Sequence, residues 1–317
     1  MGLVALPFLA GAAAAPVDHA QKVFSFQDSD IIESSGLVVV NGLVVTTNDS
    51  GDTGRVFAVD PATGRSVSTT RWEDSPTDVE ALAPDGHGGV WVGDIGDNSE
   101  VRDSVQVADV PVARHDATVH PVVHDLTYPD GPHNAETLMA DPVTGRLYVA
   151  TKEVFGGTLY AAPARLSPDR VNQLRPVGDV LPVATDGAFL PDGKHLVVRN
   201  YAAADVYAFP SMEKVADLKL PDQPQGEGIA VEGDAGTVLL SSEGVHSDVL
   251  RVSLPALSAA PSPSPTPTPS PTIRTEPQQA AESPTTEQSE RPVWPWLLGG
   301  LVGVGCIVVL IRSLRPR

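Results

Sequence analysis

One short sequence pattern returns five times along the chain, and it constrains the fold more than any other feature. The pattern is a small or acidic residue, then a small residue, then an apolar run. Its five occurrences are Ser35-Gly36-Leu37, Glu80-Ala81-Leu82, Glu136-Thr137-Leu138, Asp186-Gly187-Ala188 and Glu227-Gly228-Ile229. They lie 45, 56, 50 and 41 residues apart. Self-similarity at such a period indicates a repeat architecture built from one supersecondary unit.

Each occurrence is followed by a second run of β-branched and aromatic residues that ends in polar residues, which is typical of a strand. The five runs are LVVTTNDSGD, VWVGDIGDN, LYVATKE, LVVRNY and VLLSSEG. Turn sequences such as Pro84-Asp85-Gly86 and Pro191-Asp192-Gly193 precede some of these runs. Asp bonds nearby backbone and Gly accepts a positive φ, so both favour a tight turn. Each repeat therefore begins with two antiparallel strands.

The rest of each repeat has room for two further strands, except in the fifth repeat, which retains only DVLRVSLP (248–255). The N-terminal segment VFSF (23–26) supplies the missing outer strand. The sequence thus predicts an all-β fold, a β-propeller whose first and last segments share one blade. Five blades are favoured over six, because the longest interval holds no unassigned hairpin. A β-sandwich is the alternative, but it does not explain the return of one motif.

The two ends of the chain have the composition of membrane-related segments. Residues 1–15 are apolar and uncharged and end in small residues, which predicts a secretory signal peptide. A short apolar strand is the alternative for this segment. Residues 17–257 then form the propeller ectodomain. Residues 258–291 are rich in Pro, Ser and Thr and predict a disordered, semi-stiff stalk.

The segment 292–311 contains no charged residue and is long enough for a transmembrane helix. Trp294 and Trp296 stand at its start, and the basic tail 312–317 follows it. Positive charge favours the cytoplasmic side. We therefore expect a single-pass protein of the cell membrane, with its N-terminus outside and its C-terminus in the cytoplasm.

Charge and cysteine content exclude several classes of function. The chain has 40 Asp and Glu against 21 Lys and Arg, a formal charge of −19. This balance argues against a nucleic-acid partner, because phosphate contacts need clustered basic residues. The one cysteine, Cys306, excludes an intramolecular disulfide and a zinc site built on several thiolates.

The repeated motif also predicts where a site lies. The innermost strand of each blade lines the central channel, so Glu80, Glu136, Asp186 and Glu227 are expected to converge near the axis. Grouped carboxylates do not all stay ionised without a counter-charge. A bound cation, shared protons, or the nearby Lys152 and Arg199 would each relieve the repulsion. Calcium, which prefers six to eight oxygen ligands, is the candidate cofactor. The alternative is that these acids cap turns and face solvent.

Two acidic loops and one histidine complete the candidate residues. The loops follow the second strands of the first two repeats and offer Asp49, Asp52, Asp94, Asp97 and Asn98 as metal ligands. Ordinary Asx-turns explain the same loops equally well. His133 lies three residues before Glu136 and is either an acid–base group or a loop histidine bonded to a carboxylate. No sequence feature assigns a nucleophile or a base, so the catalytic residues remain unassigned.

The segments 90–98 (VWVGDIGDN) and 128–136 (YPDGPHNAE), with the following DPVTGRLYVATKE, resemble a group of secreted bacterial propellers of unknown function. This group is described as tryptophan–aspartate-repeat-like, and Trp72-Glu73-Asp74 resembles one of its elements. More distantly, the chain is similar to the phytase-like, esterase-like and gluconolactonase propellers. That similarity implies a central metal and hydrolysis of phosphoesters or lactones, by analogy of fold.

These observations favour a membrane-anchored extracellular propeller that acts as a binding or scaffold module at the cell surface. Its expected partner is an extracellular ligand or protein that the sequence does not identify. The alternative is a calcium-dependent extracellular hydrolase of phosphoesters or lactones, with its site over the central channel.

Overall fold

The structure is a computed structural model that describes residues 20–49, 51–73, 75–233 and 236–257. These residues form 22 strands and no helix. In the described part of the chain, no helix has the length and apolar character that a membrane crossing requires. The predicted signal peptide, stalk, transmembrane helix and basic tail all lie outside the described residues.

The strands form five sheets arranged as the blades of a propeller, which confirms the prediction of five blades. The inner strand of each blade begins at the repeated motif. The first blade contains β2 (Ser34–Val40), β3 (Leu43–Asn48), β4 (Arg55–Asp60) and β5 (Arg65–Trp72), and the second contains β6 (Val79–Pro84), β7 (Gly89–Asp94), β8 (Val105–Pro111) and β10 (Val123–Thr127). The third contains β11 (Ala135–Ala140), β12 (Leu147–Thr151), β13 (Gly157–Ala161) and β15 (Arg175–Val180), and the fourth contains β16 (Asp186–Phe189), β17 (His195–Arg199), β18 (Ala203–Ala208) and β19 (Glu213–Lys219).

The fifth blade joins the two ends of the described chain. It contains β20 (Gly226–Glu232), β21 (Thr237–Ser242) and β22 (Asp248–Ser253), and β1 (Gln21–Ser25) pairs antiparallel with β22 as the outermost strand. The predicted outer strand at 23–26 is therefore confirmed, with a start two residues earlier. This pairing closes the ring by backbone hydrogen bonds rather than by packing alone.

Two short strands that the sequence analysis does not predict extend the first two blades. β9 (Ala117–Val119) pairs parallel with β5, and β14 (Asn172–Gln173) pairs parallel with β10. Each comes from the following repeat and adds a fifth strand to the blade before it. The two extra strands therefore link neighbouring blades at their outer edges.

The hydrophobic core is divided into five clusters of buried residues, and each cluster lies between two neighbouring blades. Strand β12 shows how one strand serves two clusters, because successive side chains point to opposite faces. Leu147 and Val149 pack towards the second blade, whereas Tyr148 and Ala150 pack towards the fourth. Both faces of β12 are buried, so this strand is apolar without strict alternation.

Close packing at the channel axis explains why the second position of the repeated motif is small. A Cβ atom on Gly36 would lie 2.4 Å from the backbone nitrogen of Leu82 in the next blade. A Cβ atom on Gly228 would lie 2.8 Å from the carbonyl oxygen of Ser35. Such distances are shorter than real Cβ contacts, so the inner strands approach one another too closely for a larger residue at these positions.

We predict that ring closure depends on buried aromatic residues next to β1. Phe26 is fully buried in the cluster between the fifth and first blades and packs edge-on against Phe24. Phe26→Ala is expected to lower the free energy of unfolding by about 3–5 kcal/mol, because it leaves a cavity in a packed cluster. Phe155, which is 99% exposed, gives the matched control: Phe155→Ala should change stability little. Chemical denaturation measures both, and equal effects would contradict the ring-closure role.

Candidate functional site

The five motif residues lie at the start of the inner strands, at one end of the channel. Ser35, Glu80, Glu136, Asp186 and Glu227 are all buried. Glu80 interacts electrostatically with Glu136, and Glu136 in turn with Glu227. Ser35 Oγ donates a hydrogen bond to the Glu80 carbonyl oxygen at 2.7 Å. Glu80, Glu136 and Glu227 thus do converge, together with two further acids described next.

Asp49 and Asp78 complete this group around Glu80. One carboxylate oxygen from each of Asp49, Asp78 and Glu80 lies within 4.8 Å of the other two. The sequence analysis predicts Asp49 as a metal ligand because of its acidic loop, but it does not predict Asp78. We call the end of the channel formed by Asp49, Asp78, Glu80, Glu136 and Glu227 the acidic end.

The Gly-Asp-Ile-Gly-Asp-Asn segment positions Asp78 and Glu80. Asp94 accepts hydrogen bonds from the backbone N–H groups of Thr77 and Asp78, at 2.8 and 2.9 Å. The N–H of Gly96 donates to the carbonyl oxygen of Asp78 at 3.1 Å. A Cβ atom on Gly96 would collide with the Asp78 carboxylate and with the Glu80 side chain. The signal for Asp78 was therefore present in this motif, but only the folded geometry reveals it.

Burial and mutual repulsion change the acidity of this group. Burial, followed by the charges of Glu136, Asp49 and Asp78, raises the pKa of Glu80 to about 11, and a hydrogen bond with Asp49 acts in the same direction. Burial also raises the pKa of Glu227. At the rim, burial and the charges of Glu227 and Asp49 raise the pKa of Glu243 to about 7. Without a cation, the acidic end therefore holds protons at neutral pH.

Lys152 supplies one counter-charge at the acidic end. Its Nζ atom lies 2.5 Å from Glu136 Oε2 and donates a hydrogen bond to the Tyr201 hydroxyl at 2.8 Å. Although burial opposes protonation, Glu136 and Tyr201 raise the pKa of Lys152, so it stays charged. Burial raises the pKa of Glu136 to about 7 even though Lys152 pulls it down. One ammonium group faces several carboxylates, so the acidic end keeps an excess of acids.

Asp186 has a different environment from the other motif acids. Its carboxylate accepts hydrogen bonds from the N–H groups of Gly187 at 2.8 Å, Ile229 at 2.8 Å and Leu37 at 3.3 Å. Burial raises the pKa of Asp186, and these three donors and Arg199 oppose the rise. Asp186 therefore connects the inner strands of three blades. The structure does not bring it into the group formed by Glu80, Glu136 and Glu227.

Arg199 is a second buried charge near the axis. It is fully buried, and burial lowers its pKa to about 10. Its guanidinium donates to the carbonyl oxygens of Gly228 at 3.0 Å and Asn200 at 3.1 Å. Arg199 is thus a structural cation that is largely satisfied by backbone.

The remaining loop candidates have local structural partners. Asp52 accepts hydrogen bonds from Asn48 Nδ2 and Arg55 Nε, each at 2.7 Å. Asp94 forms an ion pair with Arg102 at 2.8 Å, and Asp97 accepts the Arg102 N–H at 2.7 Å. Asn98 Oδ1 accepts from Asn134 Nδ2 at 3.1 Å. These contacts are hydrogen bonds and ion pairs with neighbouring side chains and loop backbone rather than Asx-turns, and the structure does not bring these four residues together as one ligand set.

His133 lies among polar and aromatic groups of its own loop and of the neighbouring strands. Its Nε2 lies 3.2 Å from Asp130 Oδ1, and its Nδ1 lies 3.3 Å from Glu153 Oε1. The ring packs edge-on against Tyr128. Its contacts are those expected for a loop histidine bonded to carboxylates, and no contact between His133 and Glu136 occurs among the described residues.

Comparison with known proteins finds two distant structural similarities and no family. The chain is similar in structure to glutaminyl cyclase from Myxococcus xanthus, with a TM-score of 0.47 and 12% identity over 74% of this chain and 97% of that chain. It is also similar to hydrazine synthase from Kuenenia stuttgartiensis, with a TM-score of 0.36 and 15% identity over 55% of this chain and 46% of that chain. No protein-family model matches the sequence. No curated protein matches it at a significant level.

The protonated acidic end predicts an unusual pH dependence. Groups whose pKa is raised in the folded state bind more protons when folded, so stability falls as pH rises through that range. With chelator present, we expect the free energy of unfolding to decrease between pH 5.5 and 8, by about 1.4 kcal/mol per pH unit for each group that stays protonated only in the fold. Denaturant titration at several pH values measures this slope, and a rise in stability over the window would contradict the assignment.

Proposed function

We propose that this chain is a cell-surface binding module that binds a divalent cation of the calcium class at the acidic end of its channel. The observation that carries the proposal is the grouping of the half-buried Asp49 and Asp78 with the buried Glu80, beside the buried Glu136 and Glu227. Within this group, Lys152 contacts the carboxylate of Glu136. A bound divalent cation would let the remaining acids ionise together.

The donor chemistry of the acidic end fits a hard cation. Its side chains offer carboxylate oxygens, which calcium and magnesium prefer, and no thiolate or imidazole among its five members. Glu227 Oε2 is buried and has no hydrogen-bond partner among the described residues, so this oxygen is available to coordinate a cation. Asp49, Asp78 and Glu80 would hold the ion, and Glu136 and Glu227 would face it. The ion would fix the loop that carries Asp49 against the second blade.

The proposal also includes display outside the cell. The sequence features that support it are the apolar start of the chain, the Pro/Ser/Thr-rich segment 258–291 and the uncharged segment 292–311 followed by Arg312. A rigid five-bladed ring on such a stalk is suited to binding an extracellular ligand or protein. The resemblance to secreted bacterial propellers of unknown function supports the same location.

A calcium-dependent hydrolase remains the second candidate, and it rests on the acidic end alone. Hydrolysis needs a positioned nucleophile or a metal-activated water and a group that protonates the leaving group. His133, the sequence candidate for acid–base chemistry, is engaged with Asp130 and Glu153. The described geometry therefore favours binding over turnover.

We predict that calcium raises the unfolding temperature of the full-length chain and that chelator reverses the effect. A ligand that binds only the folded state adds about 2.7 kcal/mol at a hundredfold excess over Kd. Glu80→Gln should abolish the calcium response, yet remain folded in chelator, because the amide replaces a carboxyl that is already protonated. Glu213→Gln, on the exposed outer strand β19, is the matched control and should keep the full response.

Two outcomes would reject the cation site. One is the absence of any calcium-dependent shift, and the other is an equal shift in Glu80→Gln and the unsubstituted chain. Turnover of phosphoester or lactone substrates that needs calcium and disappears in Glu80→Gln would instead favour the hydrolase.

The location has a separate test. Truncation after residue 257 is expected to move the chain from the membrane fraction to the medium, because it removes the predicted stalk and transmembrane helix. Immunoblotting of cell fractions measures this, with the full-length chain as control. Retention of the truncated chain in the membrane fraction would contradict anchoring by 292–311.

A further inference from the structure

The opposite end of the channel contains a cavity that the proposed cation site does not use. Its volume is about 280 Å³. Each inner strand contributes an apolar residue from beyond its motif acid to the lining: Leu37, Leu82, Leu138, Ala188 and Ala230. The cavity therefore lies on the axis, where the five inner strands run towards their second ends.

The cavity is apolar in its depth and acidic at its rim. Asp85 and Asp141, from the turns after β6 and β11, are the only charged residues in its described lining, which contains no Lys, Arg or His. Neither carboxylate forms an ion pair with a described basic residue. Apolar surface with two unneutralised negative charges complements a ligand that is apolar at one end and cationic at the other.

The turns hold these two carboxylates in place. Asp85 Oδ1 accepts from the N–H groups of His87 at 2.6 Å and Gly89 at 2.9 Å. Asp141 accepts from the N–H of Val143 at 2.9 Å and from the Thr144 hydroxyl at 2.5 Å. Backbone and hydroxyl donors orient the carboxylates but leave their negative charge at the rim of the cavity.

We propose that this cavity is a binding site for a small apolar amine, whose hydrocarbon part fills the channel end and whose ammonium group faces Asp85 and Asp141. The size is adequate, because an engineered apolar cavity of about 150 Å³ already binds benzene. A primary alkylamine has a pKa near that of lysine, about 10.4, and carries its charge at neutral pH. An apolar carboxylate of the same shape meets two negative groups and is disfavoured.

The test uses three probes of one shape: 4-phenylbutylamine, 4-phenylbutan-1-ol and 4-phenylbutyrate. Each is titrated by calorimetry at pH 7 into the full-length chain in zwitterionic lipid nanodiscs, with empty nanodiscs as the blank. We expect the amine to bind about fivefold more tightly than the alcohol, the advantage of a partly exposed ion pair, and the carboxylate to bind least. The advantage of the amine should shrink at high salt.

Two substitutions locate the site and separate the apolar contribution to binding from the electrostatic contribution. Ala188 is partly exposed in the cavity wall, so Ala188→Leu should weaken both amine and alcohol by about tenfold, the contact of roughly two methylene groups. Ala216→Leu, on the outer strand β19 of the same blade, is the matched control. Asp85→Asn keeps the acceptor for His87 and Gly89, so it should reduce the advantage of the amine over the alcohol, with Asp141 retaining part of it, and should leave binding of the alcohol unchanged.

Three results would overturn the proposal: no binding of the amine above the blank, equal binding of all three probes, or amine binding that Ala188→Leu leaves unchanged. Calcium and chelator serve as a further control, because the cation site lies at the other end of the inner strands. Failure of the calcium prediction therefore leaves this test intact.

Discussion

The close approach of the inner strands at the channel axis is the constraint on which the rest of the structure depends. Gly36 and Gly228 leave no room for a side chain between neighbouring blades. Backbone N–H groups at the axis are removed from water and need acceptors. The Asp186 carboxylate provides them for Leu37 and Ile229 in two other blades. Burial still raises the pKa of Asp186, but three N–H donors and Arg199 oppose the rise and lower the cost of burying the carboxyl group.

The same constraint explains why the motif acids differ in role. Aspartate is one methylene shorter than glutamate, so the carboxylate of Asp186 stays beside the backbone, where it accepts N–H groups. The longer side chains of Glu80, Glu136 and Glu227 extend to the channel end. Lys152 forms its ion pair with Glu136. The acidic end therefore has more carboxyl groups than ammonium groups because three of the five blades have a glutamate at the motif position.

Most of the fold was predictable because its signals are local. The repeated motif gave five inner strands, and the one incomplete repeat led to ring closure by the N-terminal segment. Strands β9 and β14 escaped prediction because they are three and two residues long and pair with distant strands. The convergence of Glu80, Glu136 and Glu227 was predicted from their position in the repeat. The position of Asp78 was not predicted. It depends on hydrogen bonds that the backbone N–H groups of Thr77 and Asp78 donate to Asp94, and the spacing of residues in the sequence does not reveal these bonds.

The inner strands also give the two channel ends different chemical character, acidic at one end and mainly apolar at the other. Each strand begins at the motif residue and continues with apolar residues, so one set of strands ends in acids on one side and in an apolar cavity on the other. The cavity lining begins two residues beyond most motif residues, at Leu37, Leu82 and Leu138, which is about 7 Å along an extended strand. Asp186 is fully buried among the motif residues, and the next residue, Gly187, lines the cavity. No described residue belongs to both the acidic end and the cavity lining. Since sites that share no contact partner contribute additively to stability, a cation at the acidic end and an amine in the cavity would stabilise the ring by separate amounts.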